Sequence, residues 1–175
     1  MTETLSKKDY YDAVNNKLNI DEVIMVKLFE TDDNDFIPKR SNDLDAGFDC
    51  RARLKEDLVI QPMERAKVPL GFGLNVPADH VGDLRPRSGL MDRKGIVCGY
   101  GTVDAGYTNE VSATIFNFGS EPFIVEPKMR IAQLVLMPLA KSRWAQNESR
   151  LTMEVVPDLV SGERGLGGHG STGLA

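Results

Sequence analysis

Apolar residues in this chain come in short runs or in alternation, repeatedly broken by Gly, Pro, Asn and Asp. Residues 23–29 alternate loosely and are rich in β-branched side chains, and residues 31–35 form a polar turn. Runs at 48–54, 58–60, 66–76 and 81–84 follow, with Pro69, Gly71, Gly73 and Pro77 inside or between them. Val111, Ala113 and Ile115 alternate with Ser112 and Thr114, the pattern of a strand with one buried face. Runs at 123–125 and 131–137 continue the series, and 152–156 closes it. Short strands at regular spacing, with little helical periodicity between them, predict an all-β sandwich, barrel or jelly roll. One internal helix is expected at 89–94, with Ser88 as its N-cap.

The two ends depart from this pattern. Ser6 with Asp9 resembles a capping box, and Tyr10, Val14 and Leu18 fall on one helical face. A short amphipathic helix is therefore expected over residues 2–20, packed on the main domain or on a neighbouring subunit. At the other end, residues 162–173 are half glycine and cannot bury enough apolar surface to order themselves. Read alone, they are a loose terminus. The expected organisation is a helical extension over 1–22, a β domain over 23–160 and a flexible arm over 161–175.

Bulk properties narrow the function. With 175 residues, 41% hydrophobic and 27% charged, the chain suits one domain with a real core. No apolar stretch approaches the roughly 18 residues of a membrane span, and residues 1–8 lack the features of a secretory signal. A cytoplasmic protein is expected. The formal net charge is −5 without a basic cluster, which argues against a polynucleotide ligand and leaves a small anion open. Cys50 and Cys98 are isolated, so two reduced, mostly buried thiols are expected.

Candidate chemistry sits in the loops. In Arg85-Pro86-Arg87-Ser88-Gly89-Leu90 a strand ends and a helix starts, and free N–H groups beside an arginine and a hydroxyl suit an anion. Read alone, the same residues are an ordinary cap. In Gly101-Thr102-Val103-Asp104-Ala105-Gly106-Tyr107, hairpin N–H and C=O groups suit the edge of a base, with Gly99 and Gly101 allowing close approach. Asp104 suits a general base, or an Asx turn; Tyr107 suits a platform under a sugar, or an ordinary strand-end tyrosine.

Taken together these segments resemble the dUTPase family. Asp45-Ala46-Gly47-Phe48-Asp49 resembles its first motif, and Pro86-Arg87-Ser88-Gly89-Leu90 the second. Residues Gly101 to Tyr107 resemble the third, and Arg130-Ile131-Ala132-Gln133-Leu134 the fourth. Residues 164–173, which include Arg164, His169, Gly170, Ser171 and Thr172, resemble the fifth. The resemblance covers roughly residues 23–173. It implies a homotrimer of jelly-roll-like subunits whose three active sites are each built from all three chains.

It also implies roles. Asp104 would activate the water that attacks the α-phosphorus of dUTP, releasing dUMP and pyrophosphate. Tyr107 would stack on the sugar and exclude ribonucleotides. The backbone from Cys98 through Gly101 and Thr102 to Val103, with Ser112, would read uracil. Arg87, Ser88, Gly89 and Gln133 would hold phosphates and water, and Asp49 would support the site. Arg164, Ser171 and Thr172 would clamp the γ-phosphate as the tail closes. Mg²⁺ would be held mainly by substrate phosphates and water. The biological consequence would be less uracil in DNA and a supply of dUMP for dTMP synthesis.

His169 stands where the family commonly carries a stacking phenylalanine, and an imidazole also stacks. A dCTP deaminase is the nearest rival, but the strand Ser112-Ala113-Thr114-Ile115-Phe116-Asn117 has no catalytic carboxylate, and Glu110 reads as an exposed hairpin residue. A second rival is a nucleotide-gated regulatory protein, with the N-terminal helix as its partner-binding element.

Overall fold

A computed structural model describes residues 24–77 and 79–139. The expected N-terminal helix, the 152–156 strand and the whole glycine-rich tail lie outside these residues. Strands β1 (Val26–Leu28), β2 (Phe48–Arg51), β3 (Leu58–Ile60), β4 (Arg65–Pro69), β5 (Phe72–Leu74) and β6 (His80–Arg85) come first. Helix α1 (Ser88–Lys94) follows, then β7 (Ile96–Cys98), β8 (Gly101–Val103), β9 (Ser112–Asn117), β10 (Phe123–Val125) and β11 (Arg130–Pro138). The all-β expectation holds, with one short α-helix among the described residues. That helix is neither long nor apolar enough to cross a membrane.

The strands form antiparallel ladders: β1 with β5, β10 with β3, a four-stranded sheet ordered β2-β11-β6-β8, and a three-stranded sheet ordered β4-β9-β7. Their inner faces meet in one core that includes Val68, Leu70, Phe72, Ile96, Ile115, Ile131 and Leu134. On β9 the predicted alternation appears directly: Ala113 and Ile115 are buried, while Ser112 and Thr114 are only partly covered. Asn117 continues the buried phase as a polar residue with every group paired. Its amide donates to the Ile60 and Glu121 carbonyls, each at 2.9 Å, and its carbonyl accepts from the Gly119 N–H at 2.9 Å. A buried amide is tolerated only when satisfied in this way.

Three expectations are corrected or refined. The run at 66–76 is two strands, because Gly71 at φ +78° turns the chain between β4 and β5. Such a backbone favours glycine, and a Cβ here would also sit 2.9 Å from the Phe36 ring. The polar turn at 31–35 continues into a 3₁₀ turn, Asn34–Phe36, capped by the Asp33 carboxylate accepting from the Asp35 N–H at 2.9 Å. Helix α1 starts at Ser88, so its cap is Arg87 and not the serine. β7 and β8 are neighbours in sequence but do not pair with each other. β7 pairs with β9 and β8 with β6, so the chain changes sheets between Cys98 and Gly101.

Candidate active site

Strand alternation sorts the four-stranded sheet into two faces. Cys50, Ala132, Leu134 and Leu84 point into the core, and their neighbours form a polar face. On that face Asp49, Gln133 and Arg85 stand side by side, because Gln133 is directly opposite Asp49 on β2 and Arg85 on β6. Thr102 on β8 lies opposite Asp83 at the far edge of the same sheet.

Register in β11 slips between Arg130 and Ala132, where two steps on β11 match one step on β2. Ile131 is the extra residue, and both Ile131 and Ala132 are buried. Strict alternation would put Arg130 and Gln133 on opposite faces. The bulge puts them on the same one, a common use of this irregularity. Arg130 Nη1 thereby reaches Asp49 Oδ2 at 2.9 Å, and Arg87 Nε reaches Asp49 Oδ1 at 2.9 Å. Ser41 Oγ donates to Asp49 Oδ2 at 3.0 Å, and Arg87 Nη1 donates to the Arg130 carbonyl at 3.1 Å. One carboxylate with only 17% of its side chain exposed thus fixes two guanidinium groups.

Arg87 has extended backbone angles and no capping side-chain bond, and its carbonyl accepts from the Leu90 and Met91 N–H groups. The Ser88 and Gly89 N–H groups are therefore not capped by that side chain, and their residues line a cavity of about 620 Å³. Asp49, Arg87, Gln133, Ser41, Arg93 and Lys94 also line it. Gln133 Nε2 donates to the Pro86 carbonyl at 2.9 Å, and Gly47 leaves room for that side chain. A Cβ on Gly47 would collide with Gln133 Oε1. The structure therefore brings Asp49, Arg87, Ser88, Gly89 and Gln133 together. Sequence reasoning gave no role to Ser41, Arg93, Lys94 or Arg130; the apolar pair Ile131-Ala132 between two polar residues was the available sign for Arg130.

Cys98, Gly101, Thr102, Val103, Asp104, Tyr107 and Ser112 do not line that cavity. Among the described residues, Cys98 to Tyr107 lie on and after two edge strands, since β7 and β8 each end their sheet's strand order, while Ser112 opens the central strand β9. Each edge strand keeps one side out of the ladders formed among the described residues, with backbone donors and acceptors that a ligand can use. Gly101 meets Leu84 only at ordinary contact distance, so packing inside the chain gives no reason for a glycine there. Past β8 the chain turns at Asp104 to Tyr107, closed by the Tyr107 N–H donating to the Asp104 carbonyl at 3.1 Å. Gly106 takes φ +86° at its third position, as such turns demand. Backbone groups close the turn, so the exposed Asp104 carboxylate is not the group that caps it.

Glu110 corrects an expectation. Only 18% of its side chain is exposed, and Arg53 grips it with Nε to Oε1 at 2.7 Å and Nη2 to Oε2 at 2.8 Å. The Gly71 N–H adds a third bond at 2.8 Å. Burial pushes the Glu110 carboxyl up, but Arg53 and the Gly71 N–H outweigh it and hold it below its ordinary value. Arg53 lies 57 positions away, a pairing no local pattern reveals.

Both thiols are buried and unpaired. Burial pushes the Cys98 thiol up to about 11, and pushes Cys50 higher still. Among the described residues no group of three or more His, Cys, Asp or Glu could hold a metal ion. Arg164, His169, Gly170, Ser171 and Thr172 lie outside the described residues.

Comparison with known proteins agrees with the motifs. A family model described as dUTPase matches residues 33–173. The deoxyuridine 5'-triphosphate nucleotidohydrolase of Rhizobium meliloti (strain 1021) is 45% identical over 132 residues, which span 73% of this chain and 77% of that protein. The Staphylococcus bacteriophage 80alpha dUTPase solved with dUPNHPP matches at TM-score 0.72 and 26% identity, over 87% of this chain and 99% of that one. A substituted dUTPase from phage phi11 of S. aureus, described with a structural Mg(II) ion, shares the fold at TM-score 0.65 and 22% identity, over 80% of this chain and 100% of that one.

Proposed function

The chain belongs to the dUTPase family, and on that premise we propose that it hydrolyses dUTP to dUMP and pyrophosphate with Asp104 as the general base. Asp104 takes a proton from water, the water oxygen bonds to the α-phosphorus, and the α–β bridging oxygen leaves with pyrophosphate. Phosphoryl chemistry of this kind needs positioning and charge neutralisation more than covalent help.

The observation that carries the reading is the Asp49-centred arrangement at the start of α1. Arg87 and Arg130 are held by one carboxylate beside uncapped helix N–H groups, in a cavity that also takes Arg93 and Lys94. Such a surface suits a polyphosphate. The open edges of β7 and β8 suit the hydrogen-bonding edge of uracil, and Tyr107 suits the face of a deoxyribose. In the same reading Arg164, His169, Gly170, Ser171 and Thr172 close over the nucleotide.

None of the residues 98–112 lines the cavity, so the reading assembles each site from neighbouring copies in a homotrimer. Mg²⁺ fits it as an ion carried by the triphosphate, because the Asp49 carboxylate is already committed to two arginines. When bound, the ion neutralises phosphate charge. Glu110 is committed to Arg53 and Gly71, which removes it as a substitute for a deaminase glutamate. A cytoplasmic setting, in which the enzyme limits uracil in DNA and supplies dUMP for dTMP synthesis, goes with this activity.

The test is to incubate the full chain and Mg²⁺ separately with dUTP, dTTP, dCTP and UTP, following pyrophosphate. Release from dUTP that Asp104→Asn abolishes is expected. A folded protein that leaves dUTP intact sinks the reading.

A further inference from the structure

The segment Asp104 to Glu110 is a strap between β8 and the start of β9, and it carries the two side chains on which the proposed chemistry depends. Its internal bonds are few. The Tyr107 N–H donates to the Asp104 carbonyl, the Tyr107 hydroxyl donates to the Glu110 carbonyl at 3.1 Å, and Asn109 Oδ1 accepts from the Glu110 N–H at 2.8 Å. Among the described residues, its hydrogen bonds to the rest of the chain all run through the Glu110 carboxylate. That carboxylate takes three N–H donors, two from Arg53 and one from Gly71 at the β4–β5 turn.

The next residue is equally fixed. The Val111 N–H donates to the Phe72 carbonyl at 2.8 Å, and the Val111 carbonyl accepts from the Leu70 N–H at 3.0 Å. The Glu110 carbonyl is thus set by its own side chain on one side and by the two backbone bonds of Val111 on the other. Asn109 lies against the β5 backbone as well, since a Cβ on Gly73 would fall 2.8 Å from the Asn109 carbonyl oxygen. Tyr107, 43% exposed as a residue, has its hydroxyl pinned to that fixed carbonyl.

We propose that the Arg53–Glu110 pair is a positioning device that fixes the Tyr107 ring against the sugar and thereby sets the preference for deoxyribo- over ribonucleotides. The inference rests on the proposed dUTP hydrolysis. A ring meant to leave no room for a 2′-hydroxyl works only if it cannot move aside. Here the bond of its hydroxyl leads to a carbonyl whose place is set by a two-pronged ion pair, the geometry in which arginine and carboxylate hold each other most firmly.

The experiment compares the full chain with Glu110→Gln, Tyr107→Phe and the double variant. Each is assayed for pyrophosphate release from dUTP and UTP well below its unfolding temperature. The readout is the ratio of kcat/KM for dUTP to that for UTP, which a general loss of folded protein does not change. Glu110→Gln is expected to lower the ratio by about fivefold to tenfold, through a higher KM for dUTP and faster turnover of UTP. Tyr107→Phe lowers it similarly, and the double variant falls no further than the lower single one, because both act through one contact.

An unchanged ratio in folded Glu110→Gln, or fully independent effects in the double variant, overturns the proposal and leaves the pair a plain structural one. Should Glu110→Gln fail to fold, Arg53→Lys keeps the charge and loses the second prong. A smaller fall in the ratio then supports the proposal, and an unchanged ratio overturns it. Parent protein that releases no pyrophosphate from dUTP sinks the function itself, an outcome distinct from an active parent with an insensitive ratio.

Discussion

Around the cavity at the start of α1, charged side chains hold one another before any ligand arrives: Asp49 binds Arg87, Arg130 and Ser41, and Gln133 is tied to the Pro86 carbonyl. On the Asp104–Glu110 strap the arrangement is the reverse. The base of the strap is held by three bonds to one carboxylate, while Asp104 and the Tyr107 ring stand in solvent. In the proposed reaction the difference separates two tasks. Gripping phosphates needs cations fixed in advance, so that little reorganisation remains when the anion binds. Acting on water and a sugar needs an exposed carboxylate and an exposed ring face, on a support that does not move.

The sharpest way to separate the regions is Asp104→Asn. In the proposed mechanism it removes the base, so dUTP turnover should fall about a thousandfold, while stability shifts by less than about 0.5 kcal/mol for an exposed residue. Pyrophosphate release and thermal unfolding on one preparation check both halves.

Asp49→Asn should act on the cavity in the opposite manner. It weakens two charged hydrogen bonds at a largely covered site, costing about 2 kcal/mol of stability, and lets the two arginines repel each other. Unfolding should therefore come earlier and KM for dUTP should rise about tenfold, with kcat less affected. Equal losses of stability in the two variants would erase the contrast between the regions.

A smaller effect comes from pH. The Glu110 carboxyl sits below its ordinary value in the folded chain. Its stabilising contribution is present above the unfolded value of about 4.3 and is lost as pH falls below it toward the folded one. The gap in Tm between the parent and Glu110→Gln should accordingly narrow as pH drops from about 5 to about 3. A gap that stays constant would show that the ion pair contributes nothing to the strap's support. The smallest effect belongs to the core. Burial raises both thiols, so Cys50 and Cys98 should react with a disulfide reagent only on unfolding, leaving dUTP turnover untouched by brief exposure.

Much of the β architecture was legible because the signal is local. The strands at 58–60 and 123–125 match β3 and β10 in full, and β9 shows the alternation read from Val111 to Ile115. The family was legible from five ordered motifs. What the sequence hid was non-local. The bulge at Ile131 depends on the register between β11 and β2, so the position of Arg130 beside Gln133 could not follow from period two alone. Serine is so common as an N-cap that Ser88 read as one, whereas the chain stays extended through Arg87. Glu110 looked exposed because its partner Arg53 is distant in sequence. Hairpin groups were expected at Gly101 to Tyr107, and only the sheet order shows that β7 and β8 belong to different sheets.

The central claim is that the cavity of one copy works with the strap of another. Subunit mixing tests it most directly: Asp104→Asn and Arg87→Ala, each expected to be nearly inactive, are unfolded together in equal amounts, refolded and assayed with dUTP. If sites are shared, random mixing pairs an intact strap with an intact cavity in roughly a quarter of them, and activity returns to about that fraction of the parent's. Activity no higher than the sum of the two variants refolded separately would contradict the account and place the whole site within one chain.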